Sequence, residues 1–298
     1  MIFLNVLFPI LVLVSVGYFL TQRGHIKPDM LSKLTFWLLS PSLIFTSLLN
    51  DRIEAAIFFE FGKFVLLFTL IFWGIAWIAS RLGKLDSHTS AAFALAIVFT
   101  NGGNYGLPLL LFAFGQDGFS LGIVYLTTST LLMSTLGVVI ATSGEEWSWK
   151  PVISIAKTPL FYAVILALLV KAIGFEIPLF ALRPLQLLAN AAIPMMLILL
   201  GTQLVGVRLG QQLKLLGAAT ALRLGLAPLV AWGLSLLLGF SGLTHKVAVI
   251  EVSMPSAVNA LVLASYYKRD PKFVSSVVLV TTVLSVISLT ILLILLGA

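Results

Sequence analysis

The chain has 298 residues, 60% of them hydrophobic and only 10% charged, with a mean hydropathy of +1.11. A water-soluble protein of this length needs far more polar surface, so the solvent for most of the chain is lipid. The sequence has no cysteine, and His25, His88 and His245 lack ligand spacing, which argues against disulfides, thiol chemistry and a zinc site; the net charge of +7 reads as basic cytoplasmic loops rather than nucleic-acid binding.

A membrane span needs about 20 apolar residues. Taken in chain order, the apolar runs predict ten: 2–21, 30–49, 55–81, 88–114, 119–141, 152–174, 179–204, 212–238, 244–267 and 273–296. The first carries no basic leader region and no cleavage site, and reads as a retained helix. Glu60 and Lys63, three apart in the third run, read as a pair near the interface. The polar stretch Thr142 to Pro151 divides the runs five and five. The expected organisation is therefore a first repeat over 1–141, a short cytoplasmic loop over 142–151 and a second repeat over 152–298, with an all-α polytopic fold.

Orientation follows from lysine and arginine. The loops after the odd-numbered runs hold twelve: Arg23, Lys27, Lys33, Arg81, Lys84, Lys150, Lys157, Arg208, Lys214, Lys268, Arg269 and Lys272. The opposite side holds four, Arg52, Lys171, Arg183 and Lys246, while Lys63 and Arg223 lie inside apolar runs. The excess places the odd-numbered loops in the cytoplasm and both termini outside a plasma (inner) membrane. Five spans per half invert the second half relative to the first. Recurring features suggest that the halves are repeats. Asp117 and Asp270 each open the last run of a half and are followed by Thr127-Thr128 and Thr281-Thr282; Pro41 and Pro194 occupy the second runs, Pro108 and Pro255 the fourth. The two aspartates read as N-caps, with Pro271 at the first helical position.

The fourth run contains "TNGGNYGLP", Thr100 to Pro108. Ser87 to Thr100 makes a helix of roughly 20 Å, too short for a hydrocarbon core of about 30 Å, so the chain must continue through Asn101–Pro108 and resume at Leu109. Glycine and proline weaken helical hydrogen bonding there, and bare backbone at that depth requires protein or a water-filled cavity around it. "EVSMPSAVNA", Glu251 to Ala260, is the matching interruption in the ninth run. Paired interruptions in corresponding positions point to a transport site, where helix ends offer N–H groups to an anion and carbonyls to a cation.

"NGGNYGLPLLLFAFG" and "MPSAVNALVLASYYKRDPKFVSSVVL" resemble the two crossover helices of the auxin efflux carrier family, and the resemblance covers nearly the whole chain with its ten-helix count. Only a short loop stands where the plant carriers have a long one, as in prokaryotic relatives. The resemblance implies a scaffold domain, a transport domain and two helices crossing at broken midpoints, with Asn101 matching an asparagine that contacts an anionic substrate. "IEVSMPSAVNA" also resembles the crossover of the bile acid/sodium symporters, which share the wider fold and place this glutamate in a sodium site.

The expected function is thus secondary active transport of small organic anions, auxin-like or dicarboxylate, by alternating access; the alternative is a sodium-coupled symporter with Glu251 in the ion site. Candidate substrate-binding residues are Asn101, Asn104, Tyr105, Pro108, Met254, Pro255, Ser256, Asn259 and Asn190, and candidate ion-binding residues are Glu251, Thr127, Thr128 and Asn101. For Glu251 three roles stand: sodium ligand, proton carrier, or partner of Arg223, the one basic residue well inside a span. The threonines have a simpler role as hydroxyls bonded to the preceding helical turn. No cofactor is expected beyond a coupling sodium ion or proton, and metal chemistry beyond a sodium site at Glu251 is not expected. Glu251 is the only acid well inside a span, which argues against an intramembrane enzyme; a channel is a further reading. Expected partners are the organic anion and the lipid bilayer, with a homodimer left open and no nucleic acid.

Overall fold

The structure is a computed structural model that describes residues 3–50, 55–143, 158–207, 209–210 and 212–298. Most of the central loop Thr142–Pro151, the first residues of the sixth predicted span, and Arg52, Lys150, Lys157 and Arg208 lie outside the described residues.

The described regular structure is helical. In chain order the helices are α1 Phe3–Gln22, α2 Pro28–Leu49, α3 Ala55–Leu82, α4 Ser87–Val98, α5 102–114, α6 116–141, α7 Pro159–Ile173, α8 Leu179–Gln203, α9 Leu213–Leu237, α10 Gly242–Val252, α11 Val258–Tyr266 and α12 Pro271–Leu295. Seven helical segments are long and apolar enough to cross a membrane, and one of these is the 40-residue stretch Gly102–Ala141. That stretch is not one straight rod. Gly115 sits at φ 66°, ψ −157°, a conformation essentially closed to residues with a Cβ. Beyond it the chain folds back. A Cβ on Gly122 would stand 2.9 Å from the Leu107 side chain, whereas fifteen residues along one straight helix span about 22 Å. α5 and α6 therefore form a hairpin turned at Gly115.

This turn corrects one expected cap. The break falls at Gly115, so Asp117 lies inside the helix and does not start it. Asp270 is a cap as expected: its carboxylate accepts from the Phe273 N–H at 3.1 Å, with Pro271 at the helix start. Asp86 caps α4 in the same way, accepting from the N–H groups of His88 (2.9 Å) and Thr89 (3.1 Å) and from the Thr89 hydroxyl (2.6 Å). Glu60 and Lys63 form the expected pair, at 3.6 Å and about half exposed.

The helices pack in two groups. α1 crosses α8 at very close range: a Cβ on Gly17 would overlap the Ile198 carbonyl, and one on Gly201 the Val14 carbonyl. Without a hydrophobic drive between helices in lipid, such small-residue crossings supply the van der Waals contact that holds them. α2 packs on α7 and α8, and Leu39, Leu43, Ile44, Leu160, Ala163, Ala192 and Met196 join Leu107, Phe119 and Ile123 in a small core of their own. The larger core collects α3, α4, α5, α6, α9, α10, α11 and α12, and reaches Val6, Leu7 and Ile10 of α1 and Leu197 and Leu200 of α8, with a row of stacked rings at Phe61, Phe64, Phe68, Phe72 and Phe240. The outward faces stay apolar: Phe8, Val12 and Phe19 on α1, Leu166 and Leu169 on α7, and Ile287 and Ile291 on α12 are exposed, as suits side chains that meet lipid.

Candidate transport site at the helix crossing

The two interruptions meet. α4 ends at Val98 and α10 at Val252, and the extended residues beyond them pair as an antiparallel bridge between Thr100 and Ser256. The Asn101 N–H donates to the Pro255 carbonyl at 2.8 Å, and the Ala257 N–H donates to the Phe99 carbonyl at 3.0 Å. The Ser256 N–H donates to the Thr281 hydroxyl at 3.1 Å. Each break thus satisfies the backbone of the other, which is what non-helical chain at membrane depth requires.

The first break is shorter than expected. Only Phe99–Asn101 is non-helical, and Gly102–Gly106 is already a wide helical turn in which the Gly106 N–H reaches the Asn101 carbonyl at 3.1 Å. Such wide turns are frequent at functional sites. Pro108 lies inside α5, two residues after the wide turn Gly102–Gly106. Pro255 by contrast lies within the second break. The two prolines are therefore not structural counterparts, although both belong to interrupted segments.

A cavity of about 110 Å³ opens against the crossing. Its lining includes Thr100, Asn101, Gly103 and Asn104 from the first break, Ala257, Val258 and Asn259 from the second, Ser129, Thr130 and Met133 from α6, and Ser32, Thr35, Ser40, Leu160, Met196 and Gln203 from α2, α7 and α8. It lies between the two packing groups. α5 begins just after Asn101 and α11 just after Ala257, so two helix N-termini border it, each with partial positive charge and free N–H groups. The Asn101 amide nitrogen is buried without a hydrogen-bond partner among the described residues. No charged side chain is among the described lining residues. The arrangement suits a small anion bound by dipoles and amides.

The structure brings Asn101, Asn104 and Asn259 together here and places the other candidates elsewhere. Tyr105, Met254, Pro255 and Ser256 are buried behind the crossing, with the hydroxyl of Ser256 unpartnered among the described residues. Asn190 lines a separate cavity with Gln116, Gln186, Thr46 and Ser47. Thr127 is buried beside a small pocket shared with Ser134 and Thr158, and Thr128 donates to the Val124 carbonyl at 3.0 Å.

Glu251 is fully buried, in the last turn of α10, and neither carboxylate oxygen has a hydrogen-bond partner among the described residues. Arg223 is also fully buried but is engaged elsewhere. Its Nη1 donates to the Ile97 carbonyl at 2.7 Å, capping the C-terminal end of α4, and its guanidinium stands over the rings of Phe72 (5.5 Å) and Phe68 (5.9 Å). Neither Glu251 oxygen has a partner and the Arg223 guanidinium is held at Ile97, so the two do not neutralise each other by direct contact. Sequence reasoning passed over Thr100, Ser129, Thr130, Gln203 and Tyr125. The usable signal for Tyr125 was its position two residues before the Thr127-Thr128 pair; the others are ordinary helix-end and mid-helix polar residues.

A family model described as membrane transport protein matches residues 2–293 of the chain. The chain is 33% identical over 288 residues to an uncharacterized transporter of Methanothermobacter thermautotrophicus, covering 94% of both chains. It is 29% identical over 300 residues to an uncharacterized transporter of Methanocaldococcus jannaschii, covering 96% of both.

Proposed function

The chain belongs to the membrane transport protein family, that of the auxin efflux carriers, and we propose that it is a secondary transporter of small organic anions working by alternating access. One observation carries the reading: two helix N-termini and the unpartnered Asn101 amide border one cavity whose described lining holds no carboxylate. A carboxylate there completes the Asn101 hydrogen bonding and meets two positive dipole ends. The volume of about 110 Å³ holds several waters, which favours a compact carboxylate over a bulky one.

The ten-span, five-plus-five organisation fits the helix order. Each half offers three helices, then an interrupted pair (α4/α5 and α10/α11), then a long last helix (α6 and α12). α1, α2, α7 and α8 would form the scaffold, and the remaining helices the moving body. The cavity between them would face either side as that body rocks, in a multi-pass plasma-membrane protein with both termini outside. No nucleotide-binding motif is present in the sequence, so an ion or substrate gradient supplies the energy.

The buried, unpartnered Glu251 favours coupling to a cation, sodium or a proton, over simple facilitated passage. The decisive experiment is radiolabelled flux into proteoliposomes with a panel of carboxylates, with and without sodium and proton gradients. Saturable flux that accelerates in exchange for internal carboxylate supports a carrier. Non-saturating flux marks a channel, and no carboxylate flux at all refutes the reading.

A further inference from the structure

Three glycines enclose the Glu251 carboxylate. A Cβ added to Gly102 would stand 2.5 Å from Oε2, one added to Gly106 2.6 Å from the same oxygen, and one added to Gly122 3.2 Å from Oε1. The acid therefore lies in a slot whose walls, on the α5 and α6 sides, are glycine backbone pressed against it. An ionised carboxylate in that position is fully buried, has no hydrogen-bond donor among the described residues, and sits in the last turn of a helix, where the dipole is negative. Burial, the missing donors and the C-terminal end of α10 oppose the charge, and the N-terminal turn of α5 beside it, though positive, donates no hydrogen bond to it. A sodium ion would relieve it but needs several oxygen ligands around it, and the glycine walls occupy that space. A proton needs none.

The slot is linked to the cavity. Tyr125 runs along the same wall: its ring edge would stand 3.1 Å from a Cβ on Gly102, and its hydroxyl is 2.9 Å from the hydroxyl of Thr100, which lines the cavity. Tyr125 also lies within electrostatic reach of both Glu251 and Arg223. The elements packed against α10 are α9, α6, the first turn of α5, and α12. Their buried titratable or charged groups are Tyr105, Tyr125 and Arg223. Asp117, Lys214 and Lys272 lie near helix ends, and His245 on α10 itself is engaged with Ser235 at 2.7 Å.

We propose that Glu251 is a proton-binding site coupled, through Tyr125 and Thr100, to what occupies the crossing cavity. Tyr125 is the positioning residue. Filling the cavity reorients Thr100, shifts the tyrosine and changes the surroundings of the acid. Release breaks the carboxyl O–H bond, leaves the electron pair on the carboxylate and delivers the proton to water. The proton site stands on the slot geometry alone; only its coupling to substrate rests on the transporter reading.

Infrared spectra of the purified protein in lipid nanodiscs, taken over a pH series, test this without any transported solute. The wild type is expected to show a neutral carboxylic-acid C=O band at neutral pH that is lost in Glu251→Gln. The band should be unchanged when sodium chloride replaces choline chloride. Tyr125→Phe should move its titration midpoint by about one pH unit, a tenfold change in proton affinity. Should Glu251→Gln fail to fold, a hydrophobic carbodiimide, which modifies neutral acids in apolar sites, should label Glu251 of the wild type, as read by mass spectrometry. Loss of band or label on adding sodium overturns the proposal in favour of a sodium site. Absence of both at all pH values overturns it outright. An unmoved midpoint in Tyr125→Phe removes the coupling. A protein with the band but no carboxylate flux refutes the proposed function and leaves the proton site standing.

Discussion

Replacing Asn101 by alanine separates binding from folding. The backbone of Asn101 is fully used, its N–H by the Pro255 carbonyl at 2.8 Å and its carbonyl by the N–H groups of Tyr105 (3.3 Å) and Gly106 (3.1 Å). Alanine keeps all three bonds. The side chain makes no capping bond to α5, so its removal costs no cap. Its amide nitrogen is buried with no partner among the described residues, so truncation also removes an unsatisfied donor. The expected effect on stability is therefore small, about 1 kcal/mol or less. Binding is another matter. An amide that donates to a carboxylate contributes about 1.5–3 kcal/mol, or roughly 10- to 150-fold in affinity. The measurement is equilibrium binding of the best carboxylate from the flux panel, beside thermal unfolding of the same samples. Unchanged affinity in a well-folded Asn101→Ala protein refutes the role of the amide. A large loss of thermal stability refutes the claim that its backbone bonds are independent of the side chain.

Gly201→Leu places a side chain into the Val14 carbonyl and should separate α1 from α8; detergent-solubilised protein should lose its monodisperse elution peak, and normal behaviour would show that the crossing is loose. Cysteines placed at Lys150 and Ala298 of this cysteine-free chain should label from opposite sides of the membrane, and labelling from one side would end the five-plus-five topology. Asp86→Ala should destabilise α4 by about 1 kcal/mol in thermal unfolding. The hydroxyl and backbone bonds from Thr89, and that from the His88 N–H, lower the pKa of Asp86 below the ordinary carboxylate value of 3.8. Its cap is therefore complete above that value and fades as pH falls through the lowered one; equal acid sensitivity in wild type and Asp86→Ala would show that the cap contributes nothing.

The apolar runs by themselves determined that this is a polytopic membrane protein, and they located the helices within a few residues, because the length and polarity of a span are imposed by the bilayer. Two interruptions were visible because glycine, asparagine and proline are poor helix formers wherever they stand. The family was readable in the same stretches, where the residue order is specific. Composition could not separate residues that break a helix from residues that only approach one closely. The glycines of Gly102–Gly106 are helical, and two of them make room for Glu251; the break falls at Phe99–Asn101, where only Asn101 gives any warning. The turn at Gly115 falls where the fourth and fifth runs were expected to part, between 114 and 119, although one glycine does not show which backbone angle it will adopt. Only the tertiary structure decided which polar residues share a cavity. Asn101 and Asn259 are 158 positions apart in sequence and line the same space, while Asn190 lines another. It likewise decided that Arg223 caps α4 and leaves Glu251 alone. Those outcomes follow from how helices distant in sequence pack, and pairing of that kind leaves no local pattern to read.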